Sequence, residues 1–206
     1  MAVEQKSLLK VIILGDSGVG KTALACKYSN SYFPINTQAT IAVEILTKRI
    51  LVDDKVVSVQ IWDTAGAERF NSLGTSFYRG SDCCVLVYDV TNKNSLKNLQ
   101  TWHDEFLKLT EPANPEHFPF VVFGNKTDLK NRQVQERQAR LWCQLNNNIP
   151  YYEISAKDSS NIDLAFRAVV EKALQRDTKQ SNPQDLDRIT LSPPLETDKT
   201  SEKCCK

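Results

Sequence analysis

The chain has 206 residues, and its 26 Lys and Arg against 25 Asp and Glu leave a formal net charge of +1. That length suits one domain of ordinary size, with a real core, and a tail. The near-zero charge excludes the broad positive field of a nucleic-acid binder, so no nucleic acid is expected as a partner. No apolar stretch approaches transmembrane length. The polar start, MAVEQKSLLK, reads as no signal peptide, and Ala2 after the initiator Met excludes myristoylation.

In chain order, an apolar run, Leu8 to Leu14, leads into Gly15-Asp16-Ser17-Gly18-Val19-Gly20-Lys21-Thr22, and a helix-forming stretch from Ala23 to Tyr28 follows. This is strand, glycine-rich turn and helix, with the turn matching G-x-x-x-x-G-K-[ST]. Glycines let successive backbone N–H groups curl around a phosphate, and the helix N-terminus adds its positive dipole end. Lys21 can reach terminal phosphates and the Thr22 hydroxyl can ligate Mg²⁺. Further apolar runs at Ile41–Val52, Val56–Trp62, Cys83–Val90, Phe118–Gly124 and Tyr151–Ile154 predict strands, the first two forming a hairpin across Asp53-Asp54-Lys55. CCVLVYDV and FPFVVFG are apolar on both alternations, as suits strands covered on both faces. Helices are predicted over Lys21–Ser29, Ser95–Leu109, Gln133–Leu145 and Ile162–Arg176. In the second, Leu96, Leu99, Trp102, Phe106 and Leu109 make one apolar face. The expectation is an α/β fold of the P-loop type, a six-stranded, mostly parallel, doubly wound sheet with helices on both faces and ligand sites at the strands' carboxyl ends.

Three further stretches follow strand ends. Asp63-Thr64-Ala65-Gly66 offers a carboxylate for Mg²⁺ through water and a backbone N–H for a γ-phosphate. In Asn125-Lys126-Thr127-Asp128, the Asp128 carboxylate matches the N1–H and N2 amino donors of guanine; adenine would leave it unpaired. Ser155-Ala156-Lys157 can present a backbone N–H to guanine O6. Each alone could be a helix cap or a turn; four in order at strand ends point to a guanine nucleotide. An ATP-dependent P-loop kinase is disfavoured by Asn125-Lys126-Thr127-Asp128.

The cysteines show no disulfide framework. Cys26, Cys83, Cys84 and Cys143 lie in apolar segments as free thiols, and no C-x-x-C pair or clustered His suggests zinc. A reducing, cytosolic compartment is expected. After about Asp177 the composition turns polar and proline-containing with cancelling charges, so residues 1–177 are read as the folded domain and 178–206 as a disordered tail.

With these motifs in place, the chain from Leu8 to Gln175 resembles the Rab family of Ras-superfamily small GTPases. RFNSLG, FYRGS and LVYDVT carry that resemblance, and LLKVIILGDSGVGKT, SDCCVLVYDVTN, FPFVVFGNKTDLKNRQV and NNIPYYEISAK are most similar to the late-endosomal and lysosomal branch. The resemblance implies phosphate binding by Gly15 to Thr22 and Ala23, with Phe33 on the edge of guanine. It implies Thr22, Thr40 and Asp63 around Mg²⁺, and Thr40 and Gly66 reporting the γ-phosphate. Asn125, Lys126, Asp128, Ser155, Ala156 and Lys157 would form the base pocket, and Lys21, Thr40 and Gly66 would be catalytic. Segments 34–45 and 64–79 would be switches, with an effector patch of Ile45, Trp62 and Phe77. GTP and GDP are the implied ligands. Effectors, an exchange factor, a GTPase-activating protein, a prenylation escort and a GDP-dissociation inhibitor are the implied partners.

The chain also departs from that pattern. Ala67 stands where the family has the Gln that orients the attacking water, which predicts slow intrinsic hydrolysis. An engineered substitution and a natural divergence look identical here. A GTP-bound membrane scaffold with little or no turnover stays open as the alternative. Thr37 replaces a Tyr of many relatives, and Ala42 replaces a usual Gly. Ile45 replaces a usual Phe, either as a core swap or as a change of partner set. Cys204-Cys205-Lys206 is no C-a-a-X box, but resembles the Rab signal for geranylgeranylation, and two lipids suit a tail without surplus basic charge. The alternative is a pair of unmodified thiols. The expected location is the cytosolic face of endosomal and lysosomal membranes, with a cytosolic pool.

Overall fold

The computed structural model describes residues 8–34, 40, 43–52, 55–64 and 77–180. The expectations for Gly66, Ala67, Thr37, Ala42, Cys204, Cys205 and the tail beyond 180 lie outside the described residues.

The strands are β1 (Leu8–Leu14), β2 (Val43–Val52), β3 (Lys55–Thr64), β4 (Cys83–Asp89), β5 (Phe120–Asn125) and β6 (Tyr151–Glu153). The helices are α1 (Lys21–Asn30), α2 (Lys93–Lys97), α3 (Leu99–Thr110), α4 (Glu136–Leu145) and α5 (Ile162–Gln180). They form one six-stranded sheet in the order β2-β3-β1-β4-β5-β6. All neighbours are parallel except the β2–β3 pair, whose register runs from Val43 opposite Thr64 to Val52 opposite Lys55. Fold class and hairpin therefore match the expectation.

Period-two alternation divides the apolar residues between two cores. Val11, Ile13, Val85, Val87, Val121 and Phe123 face α1 and α5, meeting Leu24, Tyr28, Phe166 and Val169. Ile12, Leu14, Leu86, Tyr88 and Val122 face the other way, onto Leu99, Trp102 and Phe106 of α3 and Ala139 and Cys143 of α4. Every residue of β4 and β5 is buried, as strands covered on both faces require. Cys83, Cys84 and Cys143 are buried free thiols and Cys26 is a half-buried one; burial pushes the Cys143 thiol up to about 12. Among the described residues no helix is long and apolar enough to cross a membrane.

Three boundaries differ from the expectation in ways that matter to the site. First, β3 continues past Trp62 through Asp63 to Thr64, because both still pair, with Glu44 and Val43 across the hairpin. Asp63 thereby extends the buried row of Val57, Val59 and Ile61. Second, β5 starts at Phe120 and ends at Asn125, so Asn125 is a buried strand residue rather than a loop residue. Third, the single helix expected over Ser95–Leu109 is two helices meeting at Asn98. Helix α4 begins at Glu136, where the Gln138 side chain accepts the Gln135 N–H at 2.9 Å.

Candidate functional site

The carboxyl ends of β1, β3, β5 and β6 converge on the turn from Gly15 to Thr22. A side chain at Gly15 would overlap the Val87 carbonyl oxygen of β4. Gly20 has φ +96°, and a Cβ there would lie 2.5 Å from Asn125 Nδ2. Both positions therefore need glycine, one for close approach and one for both reasons. Gly20 also caps α1 without a side chain, so the first N–H groups of that helix stay directed into the turn. Lys21, only 5% exposed, folds back so that its ammonium donates to the Gly15 carbonyl at 2.8 Å and the Asp16 carbonyl at 3.2 Å. An incoming anion finds a buried cation already seated on two backbone oxygens.

Below the turn lies Asp63, fully buried in β3. Burial pushes its carboxyl up to about 6, while the Thr22 hydroxyl and the Lys21 ammonium pull part of that rise back. Neither carboxylate oxygen has a hydrogen bond of ordinary geometry among the described residues. Beside it the Thr22 and Thr40 hydroxyls share a hydrogen bond of 2.8 Å. A buried, unpartnered carboxylate next to two coupled hydroxyls is an oxygen-only donor set. It fits a hard divalent cation such as Mg²⁺, whose charge would relieve the desolvated carboxylate.

The Asn125–Asp128 and Ser155–Lys157 stretches meet the phosphate turn, while Ala65 and Gly66 of the remaining stretch lie outside the described residues. Asn125 Nδ2 donates to the Val19 carbonyl at 2.9 Å, while its Oδ1 accepts the Ala156 N–H at 3.1 Å. One side chain thus ties the phosphate turn to the Ser155–Lys157 turn. Lys126, at φ +69°, donates to the Gly18 carbonyl at 2.6 Å and pairs with Asp89 at 2.7 Å. Ser155 donates to Asp128 Oδ1 at 2.7 Å, which fixes the carboxylate plane and leaves Oδ2 outside that bond. Lys157 is exposed, and Phe33 is half-buried against the core on the α1 side. Ser17 and Gly18 are exposed at the turn's tip and Ala23 is buried in the first turn of α1.

On the hairpin, Ile45 stands opposite Trp62 and is 49% exposed. The Trp62 and Phe77 rings lie 6.3 Å apart, and the Lys10 ammonium sits 3.8 Å over the Trp62 ring. The three expected patch residues are therefore neighbours on one face.

Two features of the site escaped the sequence reading. Asp89, at the end of β4, is the ion-pair partner of Lys126. Asp16 is gripped by Asn98 and Trp102, through donors 2.7 and 2.9 Å from its two oxygens. Trp102 signalled only an apolar helix face, and its indole N–H carries no periodicity.

The chain is similar to known proteins over most of its length. The family model described as "Ras family" matches residues 10–175. The chain is 56% identical over 192 residues to the Ras-related protein Rab7 of Drosophila melanogaster, covering 93% of each. It is 54% identical over 176 residues to the Ras-related protein Rab-7a of Dictyostelium discoideum, covering 85% of this chain and 87% of that one. It is 52% identical over 183 residues to the Ras-related protein RABG3c of Arabidopsis thaliana, covering 87% and 89%. The chain belongs to the Rab GTPases of the Ras family. As a Rab GTPase it binds guanine nucleotides and converts GTP to GDP and phosphate, and Mg²⁺ generally accompanies the nucleotide in this superfamily. Its likeness to Rab7 proteins agrees with the branch that its motifs resemble.

Proposed function

We propose that this Rab is a GTP-dependent switch for endosomal and lysosomal vesicle traffic, with intrinsically slow hydrolysis. The observation that carries the switch reading is the Thr22–Thr40 hydrogen bond beside the unpartnered Asp63 carboxylate. Thr40 belongs to the first switch segment, so this bond supports a reading in which ordering of the segment depends on what fills the cation site. Mg²⁺, when bound to Thr22, Thr40 and Asp63, supplies charge neutralisation to the phosphates.

The remaining roles belong to side chains and backbone. The turn from Gly15 to Thr22, with Ala23 behind it, cradles the phosphates through its N–H groups. Lys21 leaves the Gly15 and Asp16 carbonyls for the terminal phosphates and stabilises the charge that develops on the transferred group. Asp128, aligned by Ser155, reads the guanine N1–H and amino group, and the Ser155–Lys157 turn offers a backbone N–H to O6. Asn125 and Lys126 hold the base pocket to the phosphate turn, Lys157 and Phe33 flank it, and Thr40 and Gly66 sense the γ-phosphate. Ala67 offers a methyl group where a carboxamide would orient the attacking water.

Single-turnover GTP hydrolysis, compared with Ala67→Gln, tests this reading. The substitution is expected to speed intrinsic turnover, and equal rates would refute the proposal. A Rab-type activating protein that supplies its own Gln and Arg would restore hydrolysis in the switch and leave it unchanged in a GTP-bound scaffold, the reading that Ala67 also supports. Ile45, Trp62 and Phe77 are proposed as the effector patch. Exchange factor, activating protein, prenylation escort and GDP-dissociation inhibitor complete the partners. Geranylgeranyl groups on Cys204 and Cys205 are proposed to hold the protein on the cytosolic face of the membrane, leaving a cytosolic pool.

A further inference from the structure

We propose that Asn98 and Trp102 are positioning residues for the bound nucleotide, acting through Asp16 to hold the phosphate turn in its binding shape. The inference rests on the guanine-nucleotide site described above.

Asp16 is an odd residue for that place. It puts a carboxylate in a turn built to receive phosphate, where like charges repel. The structure gives each oxygen its own N–H donor: Asn98 Nδ2 on Oδ2 at 2.7 Å and Trp102 Nε1 on Oδ1 at 2.9 Å. Both donors come from the α2–α3 junction, so the fork takes up the carboxylate and turns a liability into an anchor. Charge-assisted bonds of this kind are stronger than neutral ones. Trp102 is only 2% exposed, and its ring is fixed in the core on the α3 side. Its N–H is therefore a rigid donor rather than a swinging one.

The helix break at Asn98 has its reason here. The backbone stays bonded through the junction, from Asn98 N to Asn94 O at 2.9 Å and from Trp102 N to Asn98 O at 3.1 Å. Asn98 sits at φ −72°, ψ −12°, and its side chain makes no cap bond to α3. Its amide goes to Asp16 instead.

What the fork holds is also what seats Lys21. The Asp16 carbonyl accepts the Lys21 ammonium at 3.2 Å, beside the Gly15 carbonyl at 2.8 Å. The same junction reaches the base side of the site. Ser95 in α2 accepts the Asp89 N–H at 3.0 Å, and Asp89 pairs with Lys126. Loosening the fork therefore frees the phosphate turn and the Lys21 seat while the folded core stays in place.

The test is the release rate of a fluorescent GDP from Trp102→Phe, Asp16→Asn and the double variant. Phe keeps the packed ring and deletes the donor. Asn keeps the shape of Asp16 and deletes the charge. Trp102→Phe is expected to release GDP about tenfold faster, and the double variant no faster than the quicker single one. The Trp102 indole cross-peak in the ¹⁵N–¹H spectrum, assigned by its loss in Trp102→Phe, is expected to move in Asp16→Asn and on nucleotide removal. Lower melting temperatures with release rates unchanged would mean mere packing and overturn the proposal, as would additive effects or an unmoved cross-peak. Failure of the wild-type chain to retain any guanine nucleotide would instead sink the site reading beneath it.

Discussion

Replacing Asn125 by alanine removes both of its bonds at once. Asn125 is 1% exposed, its partners Val19 and Ala156 are 2% and 4% exposed, and water cannot take over for the amide. The Val19 carbonyl loses a donor at 2.9 Å and the Ala156 N–H loses an acceptor at 3.1 Å. Two buried bonds, with one N–H orphaned, sum to about 3 kcal/mol of folding stability. For a domain of this size that is a fall of about 6–12 °C in melting temperature. The same bonds tie the phosphate turn to the base turn, so nucleotide affinity drops as well, by about 100-fold if the full amount is felt on binding. Thermal melting of nucleotide-free protein and titration with GDP measure the two effects separately. Asn125→Asp serves as the control. It keeps the acceptor for Ala156 but turns a charge on the Val19 carbonyl, so it is expected to lose affinity about as badly. A melting temperature within about 2 °C of wild type, together with unchanged affinity, would show that Asn125 bridges nothing of consequence.

Other outcomes follow from the same geometry. Asp63→Asn removes a charge that burial disfavours, so nucleotide- and metal-free protein at pH 7.5 should gain about 1–3 kcal/mol. GDP release from it should no longer slow when Mg²⁺ is added; a variant that melts at or below wild type contradicts the desolvation argument. Glu153 is affected first by burial, which raises its carboxyl, but the paired Arg132 bonds at 2.7 and 2.8 Å and the Tyr151 hydroxyl outweigh that and hold it below its ordinary value. A carboxylate lowered on folding contributes stability above its unfolded value and loses it as pH falls through the folded one. Glu153→Gln should therefore destabilise by about 1–2 kcal/mol at pH 7, with the gap to wild type closing below about pH 4. A gap that persists in acid would place its origin elsewhere.

The sequence revealed most where one-dimensional pattern and burial coincide. CCVLVYD and FVVFGN are buried at every position, and both were legible as doubly covered strands. The site motifs were legible because each chemical group sits within a few residues of a strand end. What stayed hidden depends on pairs far apart in the chain. Asp63 looked like the first residue of a loop, since polarity usually ends a strand; its pairing with Glu44 keeps it in β3. The Asn98 break falls between Leu96 and Leu99 of the apolar face expected to run on to Leu109, and the Asn98 amide goes to a side chain 82 positions away. Periodicity reports which face is covered, not which polar atom on that face finds a partner.

The bonds joining the phosphate turn to the base pocket also bear on how the protein is made. Val19 meets Asn125 across 106 positions, and Gly18 meets Lys126 across 108. A ribosome adding about 5–20 residues per second needs roughly 5–20 s to travel that distance. Throughout that interval the turn exists as sequence but lacks its bracing, since β5 and β6 have yet to be made. Tight retention of nucleotide thus begins only when nearly the whole domain is available. A guanine nucleotide held by the newborn chain is, in effect, a sign that synthesis has passed the Ser155–Lys157 turn.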